Sequence, residues 1–163
     1  IFLDPVLEPV PVQEAETCCD AWTVYVKVAC DAPAPERYQG CSQGYWKNHP
    51  GAWLATAYEP DDLIGDVFSL PERLSRLEKD TLLQALKYHG GASYFGGARI
   101  LLRKAVAALL NAAHPSIYYP ATPERIILNV NDALETLDRK KMLSLKDKLE
   151  SYNNMGCPLD NDD

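Results

Sequence analysis

Hydrophobic residues repeat with two different periods in two parts of this chain, and this change constrains the fold more than any other feature. From Trp22 to Cys30 every second residue is tryptophan, valine or cysteine, which is the pattern of a β-strand. From Cys41 onward apolar residues recur every three or four positions, as in amphipathic helices. The sequence therefore predicts a mainly α fold, a helical domain preceded by an extended arm and a small β element.

The predicted boundary between the two parts lies near Tyr38. Before it, the proline-rich segment 31–36 is typical of a stiff linker. Residues 1–37 are thus predicted to hold the extended arm and the strand, with contacts between subunits as their role. Residues 38–163 are predicted to form the helical domain.

Several helices are expected within the helical domain. Capping residues, proline and glycine mark where each begins or ends. The charged residues of the last helix that are expected to face water are Lys146, Asp147, Lys148 and Glu150. The predicted helices are one or two within 71–88, a central one from about Ala98 to Ala113 that follows Gly96-Gly97, one starting at Thr122-Pro123-Glu124, and one after a break near Asp138 that ends at Gly156.

The first 17 residues combine prolines with large apolar side chains. Pro5, Pro9 and Pro11 exclude a helix and favour an extended or polyproline form. A disordered tail should be polar, so this arm is expected to dock on another surface. The apolar residues of arm and strand assigned to assembly are Ile1, Phe2, Leu3, Val6, Leu7, Val10, Val12, Trp22, Val24, Val26 and Val28.

A lone strand poses a hydrogen-bonding problem. Both of its edges carry N–H and C=O groups that need partners, and the helical part shows no obvious strand pattern to supply them. The partner is then the arm, an unrecognised segment or another molecule. Arm and strand together favour donation between subunits, and such head-to-tail contacts can propagate into a filament.

Charge and hydropathy bear on the partners. The formal net charge of −7 and the pI of about 4.9 disfavour a nucleic-acid partner, because phosphate backbones would be repelled. No apolar stretch is long enough to predict a membrane span. The first residue is Ile1 and not methionine, which suits a processed chain, although a trimmed one would look the same.

The five cysteines are Cys18, Cys19, Cys30, Cys41 and Cys157. None has the C-x2-C spacing of a zinc or redox site. Wide, irregular spacing favours disulfides in an oxidising compartment, so an extracellular or cell-surface location is expected. Because the number is odd, one thiol is left free or bonds to another molecule, and the sequence leaves open which one.

Three segments carry a family resemblance. They are Cys41-Ser42-Gln43-Gly44-Tyr45-Trp46-Lys47-Asn48-His49-Pro50, the helical stretch from Leu101 to His114, and Asn153-Asn154-Met155-Gly156-Cys157-Pro158-Leu159. Residues 41–159 resemble a family of uncharacterised secreted bacterial and archaeal proteins that open with a Cys-Thr-Pro-Gly-Tyr-Trp-Lys-Asn-His-like motif. Here Ser42-Gln43 stands in place of the usual Thr-Pro. The resemblance implies an extracellular location and no assigned reaction.

A disulfide between Cys41 and Cys157 agrees with this resemblance. Cys41 begins the helical domain and Cys157 ends it. A bridge between them would close a loop of more than 100 residues, which is worth about 4–5 kcal/mol in the chain-entropy model. We therefore expect residues 38–163 to be closed by this bond.

An aromatic cluster of Tyr45, Trp46 and Trp53 is the main candidate binding site. The two tryptophans are seven residues apart, which suits one face of a helix. One interpretation is a platform on which a sugar ring stacks. The other is a hydrophobic lid packed on the core beside the Cys41 bridge.

No catalytic or metal site is predicted. His49, His89 and His114 lack the spacing of metal ligands and suit capping or buried hydrogen bonds, and no cofactor is expected. The preferred function is an extracellular structural subunit whose partners are copies of itself. The alternatives are a monomeric secreted module that binds carbohydrate, such as cell-surface glycans, or another surface, and a hydrolase with acidic or metal-assisted chemistry.

Overall fold

The computed structural model describes residues 37–161. The chain divides into two units, 1–36 and 37–163, and the helical domain described below belongs to the second. The predicted arm and strand lie outside the described residues, as do Cys18, Cys19 and Cys30.

Residues 37–161 are mainly helical, which confirms the predicted fold class. Two isolated antiparallel bridges, Gly40 with Gly156 and Leu63 with Thr81, tie loops together. The α-helices are α1 Gln43–Asn48, α2 Ile64–Val67, α3 Leu82–Ala85, α4 Tyr94–Ala113, α5 Pro123–Glu135 and α6 Arg139–Asn153. The 3₁₀ helices are Pro50–Ala55, Glu72–Leu77 and Pro158–Asn161.

Helix α4 is the centre of the domain, as predicted. It packs mainly against α6 and α5, and it also contacts α1 and α3. Small residues such as Ala105 and Ala108 are fully buried, which lets the neighbouring backbones approach closely. The helix ends at Ala113, where Pro115 disfavours helical backbone at the preceding His114.

The start of α4 differs from the prediction. The helix begins at Tyr94, with the Ser93 Oγ accepting a hydrogen bond from the Gly96 N–H at 3.2 Å. Gly96 and Gly97 therefore lie inside its first turn and do not precede it. The Cβ of an alanine at Gly96 would lie 2.5 Å from Gly91 Cα, so the glycine serves close packing.

The segment 71–88 contains two short helices, which agrees with the one or two that the sequence predicts. It holds the 3₁₀ helix Glu72–Leu77 and the single turn α3. Between these two, the Asp80 and Glu78 carbonyls accept hydrogen bonds from the Ile64 and Gly65 N–H groups. Backbone pairing with the start of α2 takes the place of the hydrogen bonds that one continuous helix would make.

The two later helices begin where the sequence predicts. The Thr122 Oγ accepts from the Arg125 N–H at 3.3 Å, and Pro123 occupies the first position of α5. The Asp138 carboxylate caps α6 by accepting from the Lys140 N–H at 2.8 Å. These caps are local interactions, and for that reason sequence alone locates them.

Candidate functional site

The three segments that carry the family resemblance meet at one buried side chain, Asn111 of α4. Its Oδ1 accepts hydrogen bonds from the Cys41 N–H at 2.8 Å and from the Trp46 Nε1–H at 3.1 Å. Its Nδ2 donates to the Cys41 carbonyl at 2.8 Å and to Asn153 Oδ1 at 3.1 Å. The amide is 0 % exposed and uses its full hydrogen-bonding capacity.

Asn153, at the end of α6, extends the network. Its Nδ2 donates to the Lys104 carbonyl at 3.1 Å, and its Oδ1 accepts from the Tyr119 hydroxyl at 2.9 Å. Burial raises the pKa of the Tyr119 hydroxyl, so that the group remains a donor at physiological pH. We call Cys41, Trp46, Asn111, Tyr119 and Asn153 the polar junction.

A disulfide joins Cys41 to Cys157 beside this junction, with their Cα atoms 4.3 Å apart, and confirms the bond expected from the sequence. The Gly40 N–H donates to the Gly156 carbonyl at 3.0 Å immediately next to it. The two ends of the helical domain are therefore held by one covalent bond, one backbone bridge and the Asn111 side chain.

The two tryptophans of the predicted aromatic cluster are interior residues. Trp46 is 0 % and Trp53 1 % exposed, so a ligand ring cannot stack on either indole. Pro50 begins a 3₁₀ helix after α1, and the two residues do not share one helix face. The Trp53 Nε1–H donates to the Trp46 carbonyl at 3.1 Å. This burial agrees with the interpretation as a lid on the core.

Tyr45 is the member of the predicted cluster that reaches the surface. Its ring meets Trp46 edge-on at 5.4 Å and stacks on His49 at 4.2 Å. A cleft of about 320 Å³ opens beside it. The residues that line this cleft are Tyr45, His49, Ala52, His114, Ser116, Leu159 and Asp160.

The two imidazoles of the cleft hold their protons differently. His49 Nδ1 lies 2.8 Å from the Tyr45 carbonyl, which can only accept, so in the neutral ring this nitrogen carries the proton. His114 Nδ1 accepts from the Ser116 N–H at 3.2 Å, so the proton of the neutral ring is on Nε2. Burial lowers the pKa of His114, which favours its neutral form. The cleft can therefore offer one ring N–H and one ring acceptor to a polar ligand.

Lys104 and Glu150 form an ion pair that the sequence analysis misses. The Lys104 Nζ lies 2.6 Å from Glu150 Oε1, and Lys146 contacts the same carboxylate at 3.1 Å. Lys146 and Glu150 keep 18 % and 36 % of their side chains exposed, so they face water in part while they are also paired. The pKa of Glu150 is lowered, mainly by the hydrogen bond from Lys104. A lysine inside the apolar run of α4 is the signal that could have predicted this pair.

A second recess, a groove between α5 and α6, is also absent from the sequence predictions. It has a volume of about 590 Å³ and is lined by Pro120, Ala121, Thr122, Arg125, Ile126, Asn129, Leu145, Lys148, Leu149 and Tyr152. A shallower recess of about 350 Å³ shares Asn129, Leu145 and Lys148 with it, so the two are continuous. The groove depends on how two helices pack, which periodicity does not determine.

The described residues also bear on metal and membrane binding. Residues 37–161 hold no group of three histidine, cysteine, aspartate or glutamate side chains placed to bind a metal ion. His89 lies exposed in the loop before α4. Among the same residues, no helix has both the length and the apolar character needed to cross a membrane.

Comparison with known proteins assigns no family. No family model, no curated protein and no solved structure matches the chain. The family resemblance of residues 41–159 therefore stays a prediction. Its three segments are nevertheless contiguous in space, because each contributes side chains or backbone groups to the surroundings of Asn111.

Proposed function

We propose that this protein is an extracellular structural subunit that assembles with copies of itself through its N-terminal arm and strand, and that this assembly can extend into a filament. The observation that carries the proposal is that the side chains of the three resemblance segments contact one another in the interior. Cys41, Trp46, Asn111, Asn153 and Cys157 bind one another inside the helical domain. The most distinctive residues of the chain thus stabilise the helical domain. The proposal therefore assigns assembly to the arm and strand that precede this domain.

The cysteine distribution supports an assembly locked by covalent bonds. With Cys41 and Cys157 joined, the three remaining cysteines all lie within residues 1–36. Three thiols cannot all pair within one chain, so one is available to a second chain. A disulfide closing the helical domain also favours an oxidising location such as the cell exterior.

The backbone of the helical domain also supports pairing of the predicted strand with a second copy. Residues 37–161 are organised into helices, loops and two isolated bridges, so this domain offers no sheet for the strand predicted at Trp22–Cys30 to join. The hydrogen-bonding groups of a strand need partners. A second copy supplies them without any change to the helical domain.

Removing residues 1–12 tests this function. We expect the full chain to form concentration-dependent assemblies and the truncated chain to be a folded monomer. Far-ultraviolet circular dichroism should show that the truncated chain keeps the helices of the helical domain. Sedimentation velocity and electron microscopy measure the assembly. A non-reducing gel shows whether chains are also joined by disulfides.

A matched control removes an apolar side chain from the helical domain. Leu54 is 91 % exposed, and Leu54→Ser should leave assembly unchanged. Assembly that survives loss of residues 1–12, or a full chain that stays monomeric at every concentration, would reject the proposal.

The alternative is a monomeric module that binds a carbohydrate or another surface. Because Trp46 and Trp53 are buried, the candidate ligand site for this alternative is the cleft lined by Tyr45, His49 and His114. There an aromatic ring lies beside polar groups. Trp53→Ala would report on folding and not on ligand contact. A monomeric full chain that retains a glycan on an array would favour this alternative.

A further inference from the structure

The groove between α5 and α6 has an apolar floor. Ile126 and Leu149 are buried there, and Leu145 and Tyr152 are half-buried. With its shallower continuation it follows α5 from Thr122 to Ala133, a rise of about 17 Å. That length accommodates about five residues of extended or polyproline chain.

The rim of the groove is cationic. Arg125, Lys141 and Lys148 line the two parts of the groove, together with the single acid Asp132. Within residues 37–161 no carboxylate pairs with Arg125 or Lys141, and Lys148 Nζ lies 5.9 Å from the centre of the Tyr152 ring. An acidic protein thus displays a groove whose lining carries three cations and one acid.

The opposite charge lies in the first part of the chain. Residues 1–36 contain seven acidic side chains and one lysine, so they carry nearly all of the formal net charge of −7. The arm, residues 1–17, contains no basic residue. Its acids, Asp4, Glu8, Glu14 and Glu16, alternate with apolar stretches, so the arm combines side chains for an apolar floor with carboxylates for a cationic rim.

The prolines of the arm suit a groove better than a sheet edge. Pro5, Pro9 and Pro11 have no N–H to contribute to a ladder. A polyproline segment needs no backbone ladder and docks through side chains into grooves that contain aromatic residues. Tyr152 supplies an aromatic ring in this groove.

We propose that the α5–α6 groove receives a stretch of about five residues from the N-terminal arm, residues 1–17, of a second copy of this chain. The inference rests on the proposed function and names the surface on which that assembly occurs. Each copy offers one arm and one groove, so the contact is head-to-tail and continues from copy to copy. Charge pairs at the rim set the register, and apolar contacts on the floor supply the attraction.

Charge reversal in the full chain tests the groove. Arg125 and Lys148 are exposed, so Arg125→Glu with Lys148→Glu should leave the fold intact. We expect the concentration needed for assembly to rise about tenfold or more, because the arm would meet like charges. The matched control, Arg73→Glu with Lys79→Glu, makes the same change in net charge at exposed positions outside the groove and should assemble normally.

Mixing two variants tests the direction of donation. The chain lacking residues 1–12 keeps its groove, and the charge-reversed chain keeps its arm. At a concentration where the full chain assembles and the charge-reversed chain does not, neither variant should assemble alone. Together they should form a dimer containing one copy of each and stop there, because only one arm and one complementary groove remain. Sedimentation velocity with a distinct fluorophore on each chain measures this species.

The outcomes separate the two proposals. If the full chain does not assemble, the proposed function fails and this inference fails with it. If the full chain assembles and loss of residues 1–12 abolishes assembly, but the charge-reversed groove has no effect, only the groove is wrong. If the mixture gives no dimer although each variant is folded, donation into this groove by a second copy is refuted. The groove would then have to be occupied by something other than the arm of a second copy.

Discussion

Asn111 is the residue on which the polar junction depends. Replacing it with leucine keeps a similar volume but leaves the Cys41 N–H, the Cys41 carbonyl and the Trp46 Nε1–H without their partners. Each unsatisfied buried group costs about 1–3 kcal/mol. We expect Asn111→Leu to lower the free energy of unfolding by about 3–5 kcal/mol, measured by urea denaturation.

Asn154 provides the control for this substitution. It follows Asn153 of the polar junction directly but is exposed, and Asn154→Leu should change the unfolding free energy by less than about 0.5 kcal/mol. Equal losses from both variants would show that the buried network is not the source of the effect.

Single residues also show what the sequence could predict. Cys41 and Cys157 could be paired because they stand at the two ends of one helical pattern. Asn111 lies inside the apolar run of α4, and the spacing of hydrophobic residues alone does not distinguish a buried amide from an exposed one. The partners of Asn111 are 70 and 42 residues away, at Cys41 and Asn153, so no local signal points to them.

At the scale of helices, Gly96 shows how packing overrides helix propensity. Alanine normally stabilises a helix interior by about 1 kcal/mol relative to glycine. At Gly96, however, the new Cβ would lie 2.5 Å from the backbone of Gly91, which cannot move as easily as a side chain. We expect Gly96→Ala to lower the unfolding free energy by about 1–3 kcal/mol, measured by thermal and urea unfolding.

Gly97 is the matched position in the same turn. There the nearest atom is Arg139 Cγ at 2.8 Å, part of a flexible side chain that can shift. Gly97→Ala should therefore cost clearly less than Gly96→Ala. A cost at Gly97 as large as at Gly96 would contradict the role given to the Gly91 backbone.

Local and distant determinants explain which elements could be predicted. Thr122 and Asp138 cap their helices through groups two or three residues away, and the sequence located both starts. The segment 71–88 pairs its backbone with residues 60–65, and this long-range pairing divides the segment into two short helices, which periodicity alone could not distinguish from one. The groove between α5 and α6 is likewise a product of packing between elements.

For the whole molecule, charge is divided unevenly along the chain. Residues 1–36 are strongly acidic, whereas residues 37–163 hold 15 of the 16 basic residues and are nearly neutral overall. A uniformly acidic chain would repel its own copies, whereas here the acidic segment of one copy and the cationic groove proposed to receive it in another carry opposite charges. Assembly through the arm should therefore weaken as salt rises, since exposed charge pairs are screened.

The Cys41–Cys157 bond links the ends of the helical domain across 116 residues. In the chain-entropy model such a loop stabilises the folded state by about 4–5 kcal/mol. The Gly40–Gly156 bridge and the Asn111 hydrogen bonds hold the same ends without the bond. We therefore expect the double variant Cys41→Ala with Cys157→Ala to fold, yet to unfold in urea with a free energy lower by about 4–5 kcal/mol. Replacing Cys18, Cys19 and Cys30 with serine retains the loop closure and serves as the control. A loss below about 1 kcal/mol in the double variant would contradict the stabilisation that the chain-entropy model gives to this loop.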